Sequence, residues 1–151
     1  MSDRRQSGMR KPFIAEASAT TKTPLAKASA AIMDPANYPK WFKGAHDMES
    51  DGYPAVGGVL TWKIAWMGSA STFVARVTEN ALPRRLVARV KTPSGESDIT
   101  HTFEATADGT RYTKRVVVEG GVALRLLMAL FLRRSVRQEV EAAARMADGM
   151  A

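Results

Sequence analysis

The 151-residue sequence contains no cysteine and only two histidines. Disulfides and thiolate catalysis are therefore excluded, and a zinc site would have to use both histidines together with carboxylates. No metal and no cofactor is expected. Also missing is any uninterrupted apolar run of the roughly 18 residues that a membrane-spanning helix requires. The longest stretch, Val122 to Leu132, is short and is broken by Arg125. Met1 to Lys11 is polar and basic with no apolar segment behind it, unlike a secretory leader. A cytoplasmic location is expected, with residues 1–12 a disordered basic tail and 13–150 a single domain. The sequence has no phosphate-cradling glycine loop, no dinucleotide fingerprint, no nucleic-acid motif and no internal repeat.

What is present is a basic, otherwise ordinary globular composition, with 45% hydrophobic residues and a formal net charge of +7. Such a charge raises the question of an anionic partner. Its distribution weakens that idea without closing off a functional basic patch: Arg4, Arg5, Arg10 and Lys11 lie in the tail, and Arg84, Arg85, Arg133, Arg134 and Arg137 fall at element ends or on a helix. This is the pattern of solvated surface charge, and no nucleic-acid partner is expected.

Periodicity orders the chain. Phe13, Ala15, Ala17 and Ala19 alternate with Ile14, Glu16, Ser18 and Thr20, the pattern of a strand with one face buried. Thr23-Pro24 supplies an N-cap oxygen and a preset φ for a short helix over Leu25 to Met33. Asp34-Pro35 repeats that signal and opens a second short helix or turn ending near Tyr38, Pro39 and Trp41. Turn signals at Gly57-Gly58, Asn80 to Pro83, Thr92 to Gly95 and Asp108-Gly109 then delimit strands near 46–53, 58–67, 70–79, 85–91, 97–106 and 110–118. Connections this short favour antiparallel neighbours. After Gly120-Gly121, apolar residues recur at spacings of three and four (Val122, Leu126, Ala129, Leu130, Val136, Val140, Ala143, Ala147, Met150), marking one face of a long helix. Arg137, Glu141 and Arg145 on its other face have the spacing of i,i+4 ion pairs.

One strand, two short helices, six strands and a long final helix is an element order that resembles the helix-grip fold of START and Bet v 1-like proteins, the SRPBCC superfamily. Within it the chain resembles the bacterial polyketide cyclase/dehydrase and lipid-transport branch. The resemblance is carried by four features over about residues 13 to 150: the first strand leading into Thr23-Pro24-Leu25, the stretch Asp34-Pro35-Ala36-Asn37-Tyr38-Pro39-Lys40-Trp41, Gly57-Gly58 before an aromatic strand, and the closing helix after Gly120-Gly121. It implies an α+β fold in which a seven-stranded antiparallel sheet wraps around the C-terminal helix. It further implies an apolar ligand, such as a lipid, polyketide or aromatic compound, held between sheet and helix. Some proteins of this kind cyclise or hydrolyse what they bind, but no catalytic set is common to them, so fold alone does not choose between binder and enzyme.

Strand parity assigns the faces, because charged residues mark the solvent side. Lys63 faces out, so Leu60, Trp62, Ile64 and Trp66 face in. Arg76 turns Ser71, Phe73, Ala75 and Val77 inward, and Arg89 does the same for Leu86, Ala88 and Val90. Asp98 and Glu104 leave Ile99, His101, Phe103 and Ala105 inside, while Arg111 and Arg115 leave Tyr112, Lys114, Val116 and Val118. The candidate ligand wall is Trp62, Ile64, Trp66, Phe73, His101, Phe103, Tyr112 and Lys114, closed by Leu126, Leu127 and Leu130 of the helix; the alternative is a solid core in which the same aromatic rings fill the space beneath the helix. His101, Lys114 and Tyr112 are the candidate proton-transfer groups, since a lysine on an inward face is costly without a partner and histidine titrates near 6.5. No acidic pair shares a face, and neither Ser71 nor Ser97 has a nucleophile context.

The first half of the final helix is apolar all round (Leu124, Leu127, Met128, Phe131, Leu132), more than one sheet face can cover. Three covers are open: the segment around Trp41, a second copy in a homodimer, or peripheral contact with an anionic membrane helped by Arg125, Arg133 and Arg134. The first predicts Leu127, Met128 and Phe131 buried.

Overall fold

Each alternating segment becomes a strand and each three-four repeat a helix. The computed structural model describes residues 12–66, 68–92, 95–119 and 122–150, and the side chains in those ranges except those of residues 66 and 122–130. Strand β1 (Phe13–Thr21) is followed by α1 (Leu25–Met33), a 3-10 turn (Pro35–Asn37) and α2 (Tyr38–Trp41). Six strands come next: β2 (Ala45–Asp51), β3 (Val59–Trp66), β4 (Ser69–Ala81), β5 (Arg85–Thr92), β6 (Gly95–Thr106) and β7 (Gly109–Val118). The helix α3 (Val122–Gly149) closes the chain. No helix among the described residues is long and apolar enough to cross a membrane.

The seven strands form one sheet in the order β1-β7-β6-β5-β4-β3-β2, and every pairing is antiparallel. β2 to β7 form a meander, while β1 joins it at the far edge against β7. The helix lies across the inner face. Val136 is buried with Ala15 of β1 and Val116 of β7, and Val140, Ala143 and Ala147 enter the main core. This is the α+β helix-grip arrangement expected.

Inward residues follow the expected parity at Leu60, Trp62, Ala75, Val77, Leu86, Ala88, Val90, His101, Phe103, Tyr112 and Lys114, all of them buried. Ala105 departs from it: one residue from the end of β6, it is exposed. The expected Arg137–Glu141 and Glu141–Arg145 pairs also fail to form. All three side chains are exposed, where such pairs contribute little, and among the described residues α3 forms an ion pair through Glu139 instead.

Thr23 does not cap α1. Pro24 holds the cap position without a side-chain hydrogen bond. The Thr23 hydroxyl instead donates to the Ala147 carbonyl at 2.7 Å, one of the last carbonyls of α3, which have no partner within the helix. The same corner is fastened by Asp148, whose carboxylate accepts from the Thr21 hydroxyl at 2.6 Å and the Lys22 amide at 2.8 Å. Thr110 at the start of β7 donates to the Thr23 carbonyl at 2.8 Å. Asp34, by contrast, behaves as expected and accepts from the Ala36 amide.

Candidate functional site

The register of β6 on β7 sets His101 opposite Lys114 and Phe103 opposite Tyr112, with all four side chains under the helix. His101 Nδ1 and the Tyr112 hydroxyl are 2.7 Å apart, and their rings stack with planes 10° apart. Phe103 stacks on Tyr112 from the other strand, with ring centres 5.1 Å apart. Lys114 reaches across to α3 and donates to the Glu139 carboxylate at 2.8 Å, in a pair whose side chains are 3% and 13% exposed. Its ammonium also lies 4.7 Å from the centre of the Phe42 ring and 5.4 Å from that of Trp41. A buried lysine thus obtains a carboxylate and two aromatic faces in place of water.

The segment between β1 and β2 is held in place by the end of α1. Its orphan carbonyls at Ala31, Ile32 and Met33 accept, in turn, from Asn37 Nδ2 at 2.9 Å, Trp41 Nε1 at 3.2 Å and the Tyr53 hydroxyl at 2.9 Å. Tyr38 lies beside Tyr53, close enough for each phenol to influence the other's titration. These bonds fix Tyr38, Trp41 and Phe42 against the sheet: Tyr38 tilts on Trp41, Phe42 meets Trp62 edge-on, and Trp62 tilts on Phe73.

Burial decides protonation here. It pushes His101 well below its usual range, helped by the positive charge of Lys114, so the imidazole is neutral. Burial raises Tyr112 well above 10, reinforced by the negative charge of Glu139, and likewise raises Tyr38. Tyr53 is pushed up to about 12, again mainly by burial. The site therefore consists of neutral polar groups around one internally balanced ion pair.

Between these groups lies a cavity of about 20 Å³ for the centre of a water-sized sphere, walled by Tyr38, Phe42, Tyr53, Trp62, His101 and Lys114 with aliphatic residues of β3 to β6. That is room for about one water molecule. Small-molecule pockets run to some 300–1,000 Å³, so a ligand enters this face only as the aromatic side chains move aside.

Of the residues singled out from the sequence, Trp62, His101 and Lys114 line the cavity. Tyr112 and Phe103 form the fully buried layer beside it, and Phe73 and Ile64 are half-buried against the same core. The side chains of Trp66, Leu126, Leu127 and Leu130 lie outside the described residues. Phe131 is 58% exposed, contrary to the burial required if the segment around Trp41 covered it; that segment packs near Lys114 and Glu139 instead. Sequence reasoning missed Glu139, Phe42 and Tyr53, and placed Tyr38 only at the end of the second short helix or turn. Glu139 had a signal: it falls between Val136 and Val140 on the buried face, where a charge needs a reason.

The family described as polyketide cyclase / dehydrase and lipid transport matches residues 12–147. The chain belongs to this family. Among solved structures, the fold is shared with SA2116, a protein of unknown function from Staphylococcus aureus (10% identity, TM-score 0.79, covering 95% of this chain and 98% of that one). The ZhuI aromatase/cyclase from Streptomyces sp. R1128 is similar at 13% identity and a TM-score of 0.77, over 91% of this chain and 94% of its own. Ara h 8.0201 is similar at 14% identity and 0.71, over 93% and 97%. No curated protein matches the chain.

Proposed function

We propose that this family member binds an apolar small molecule, a lipid, polyketide or aromatic compound, between its sheet and α3. The observation that carries this reading is buried Lys114, held by Glu139, standing with neutral His101 in a cavity wall otherwise aromatic and aliphatic. An apolar core of the same volume would be at least as stable, so a retained polar group beside a cavity points to use. Titration of tryptophan fluorescence with a panel of fatty acids, aromatic polyketides and simple ring compounds tests it, alongside native mass spectrometry of protein taken from its source cells. A saturable response with at least one class is expected. A flat response to every class, with no bound species carried from the cells, would count against binding.

A second reading, a cyclase or dehydratase, is favoured by the 2.7 Å contact between neutral His101 and Tyr112. A neutral imidazole has a lone pair to accept a proton and a neutral phenol has one to donate, and burial makes the first a weaker base and the second a weaker acid than in water. On this reading His101→Gln and Tyr112→Phe each lower turnover of a polyketide substrate about 10²-fold or more while leaving its binding within a few-fold. Loss of binding and turnover in equal measure would return both residues to a packing role.

A further inference from the structure

We infer that Trp62 is the donor that fixes a neutral acceptor oxygen of the bound ligand, of the ketone, ester or quinone kind. The inference rests on the binding role proposed above. Among the buried side-chain nitrogen and oxygen atoms of the described residues, Trp62 Nε1 is the one without a hydrogen-bond partner. The residue is 3% exposed and forms part of the cavity wall. Trp41 shows the ordinary arrangement: its indole N–H ends on the Ile32 carbonyl. An indole nitrogen only donates, and burying a donor without an acceptor costs stability that a phenylalanine would not cost. The ring contacts of Trp62 with Tyr38, Phe42 and Phe73, at 6.4, 6.0 and 5.7 Å between centres, are ones a phenylalanine also makes. Packing therefore accounts for an aromatic ring at this position but not for its nitrogen.

The remaining wall groups determine the charge of the acceptor. Lys114 already holds Glu139, His101 is uncharged, and the Tyr53 hydroxyl is engaged with the Met33 carbonyl. A carboxylate would bring a buried negative charge to a site whose cation is already neutralised. A carbonyl oxygen meets the indole N–H without that penalty.

Three probes of one size separate the possibilities: tetralone, tetralin and tetralin carboxylate, titrated by calorimetry into the wild-type protein and Trp62→Phe. Wild type is expected to bind the ketone about two- to tenfold tighter than the hydrocarbon, the range for one hydrogen bond, and to bind the carboxylate weakest. Trp62→Phe binds ketone and hydrocarbon alike. In wild type, the indole N–H resonance missing from the variant's nitrogen-correlated spectrum moves downfield with tetralone and not with tetralin, a readout independent of how well the variant folds. Equal binding of ketone and hydrocarbon by wild type overturns the inference and leaves the binding role standing. A preference for the carboxylate overturns its neutral character. Binding of none of the three overturns the inference, while the wider ligand panel decides the binding role.

Discussion

A histidine kept uncharged by burial beside a lysine has a thermodynamic sign. In the unfolded chain His101 titrates near 6.5, and in the folded protein well below that. As pH falls below about 6.5 the unfolded chain takes up the proton first, so stability is lost from there down toward the folded-state value, at up to about 1.4 kcal/mol per pH unit. Urea midpoints measured between about pH 7.5 and 5 should fall more steeply for wild type than for His101→Gln, and parallel slopes would contradict the assignment. The Lys114–Glu139 pair makes a second prediction at this scale. Glu139→Gln leaves a buried ammonium without its counter-charge and should cost about 3–5 kcal/mol, whereas adding Lys114→Met to it restores most of the loss. A double-mutant cycle in denaturant reads the coupling directly. His101 and Lys114 were legible because strand parity is set by neighbours such as Arg115 and Glu104. Glu139 was legible only as a charge out of place on the buried helix face, because nothing local names its partner on the sheet.

At the scale of elements, the strands were readable from alternation and glycine turns, and their observed ends lie within two residues of those expected. What local pattern could not supply was the use of polar side chains at the joints. Thr23 has the sequence of a helix cap, yet the buried Ala147 carbonyl on a helix more than a hundred residues away takes its hydroxyl. Tyr53 sits in a loop with no periodicity, and only the end of α1 explains its place. The β6–β7 turn shows how tight these joints are. A Cβ at Gly109 would run into the backbone of Thr21 and Lys22, where β1 ends beside the Asp148 contacts. Backbone cannot give way as a side chain can, so Gly109→Ala should cost at least about 1–3 kcal/mol, measured as a lowered thermal midpoint. An unchanged midpoint would mean that this corner is looser than its geometry indicates.

For the whole molecule, element order was enough to suggest the helix grip, since few arrangements place one strand and two short helices ahead of a meander and a closing helix. The size of the interior space was not legible, because sequence names the wall residues without saying how far their rings fill the gap between sheet and helix. The strand order also has a kinetic consequence. β2 to β7 are built from neighbouring hairpins, but β1 meets β7, and α3 meets β1, only across most of the chain. Closing so long a loop is entropically expensive before its contacts form, so this seam is expected to be absent from the folding transition state. Gly109→Ala and Ala15→Gly should then speed unfolding with little effect on folding, while Val77→Ala, within the meander, should slow folding. During refolding, the aromatic wall around Trp62 would stand as an open trough before β1 and α3 seal it. A hydrophobic molecule present at that stage has access to the wall that the finished protein closes off, so refolding in its presence should trap it faster than soaking it in afterwards.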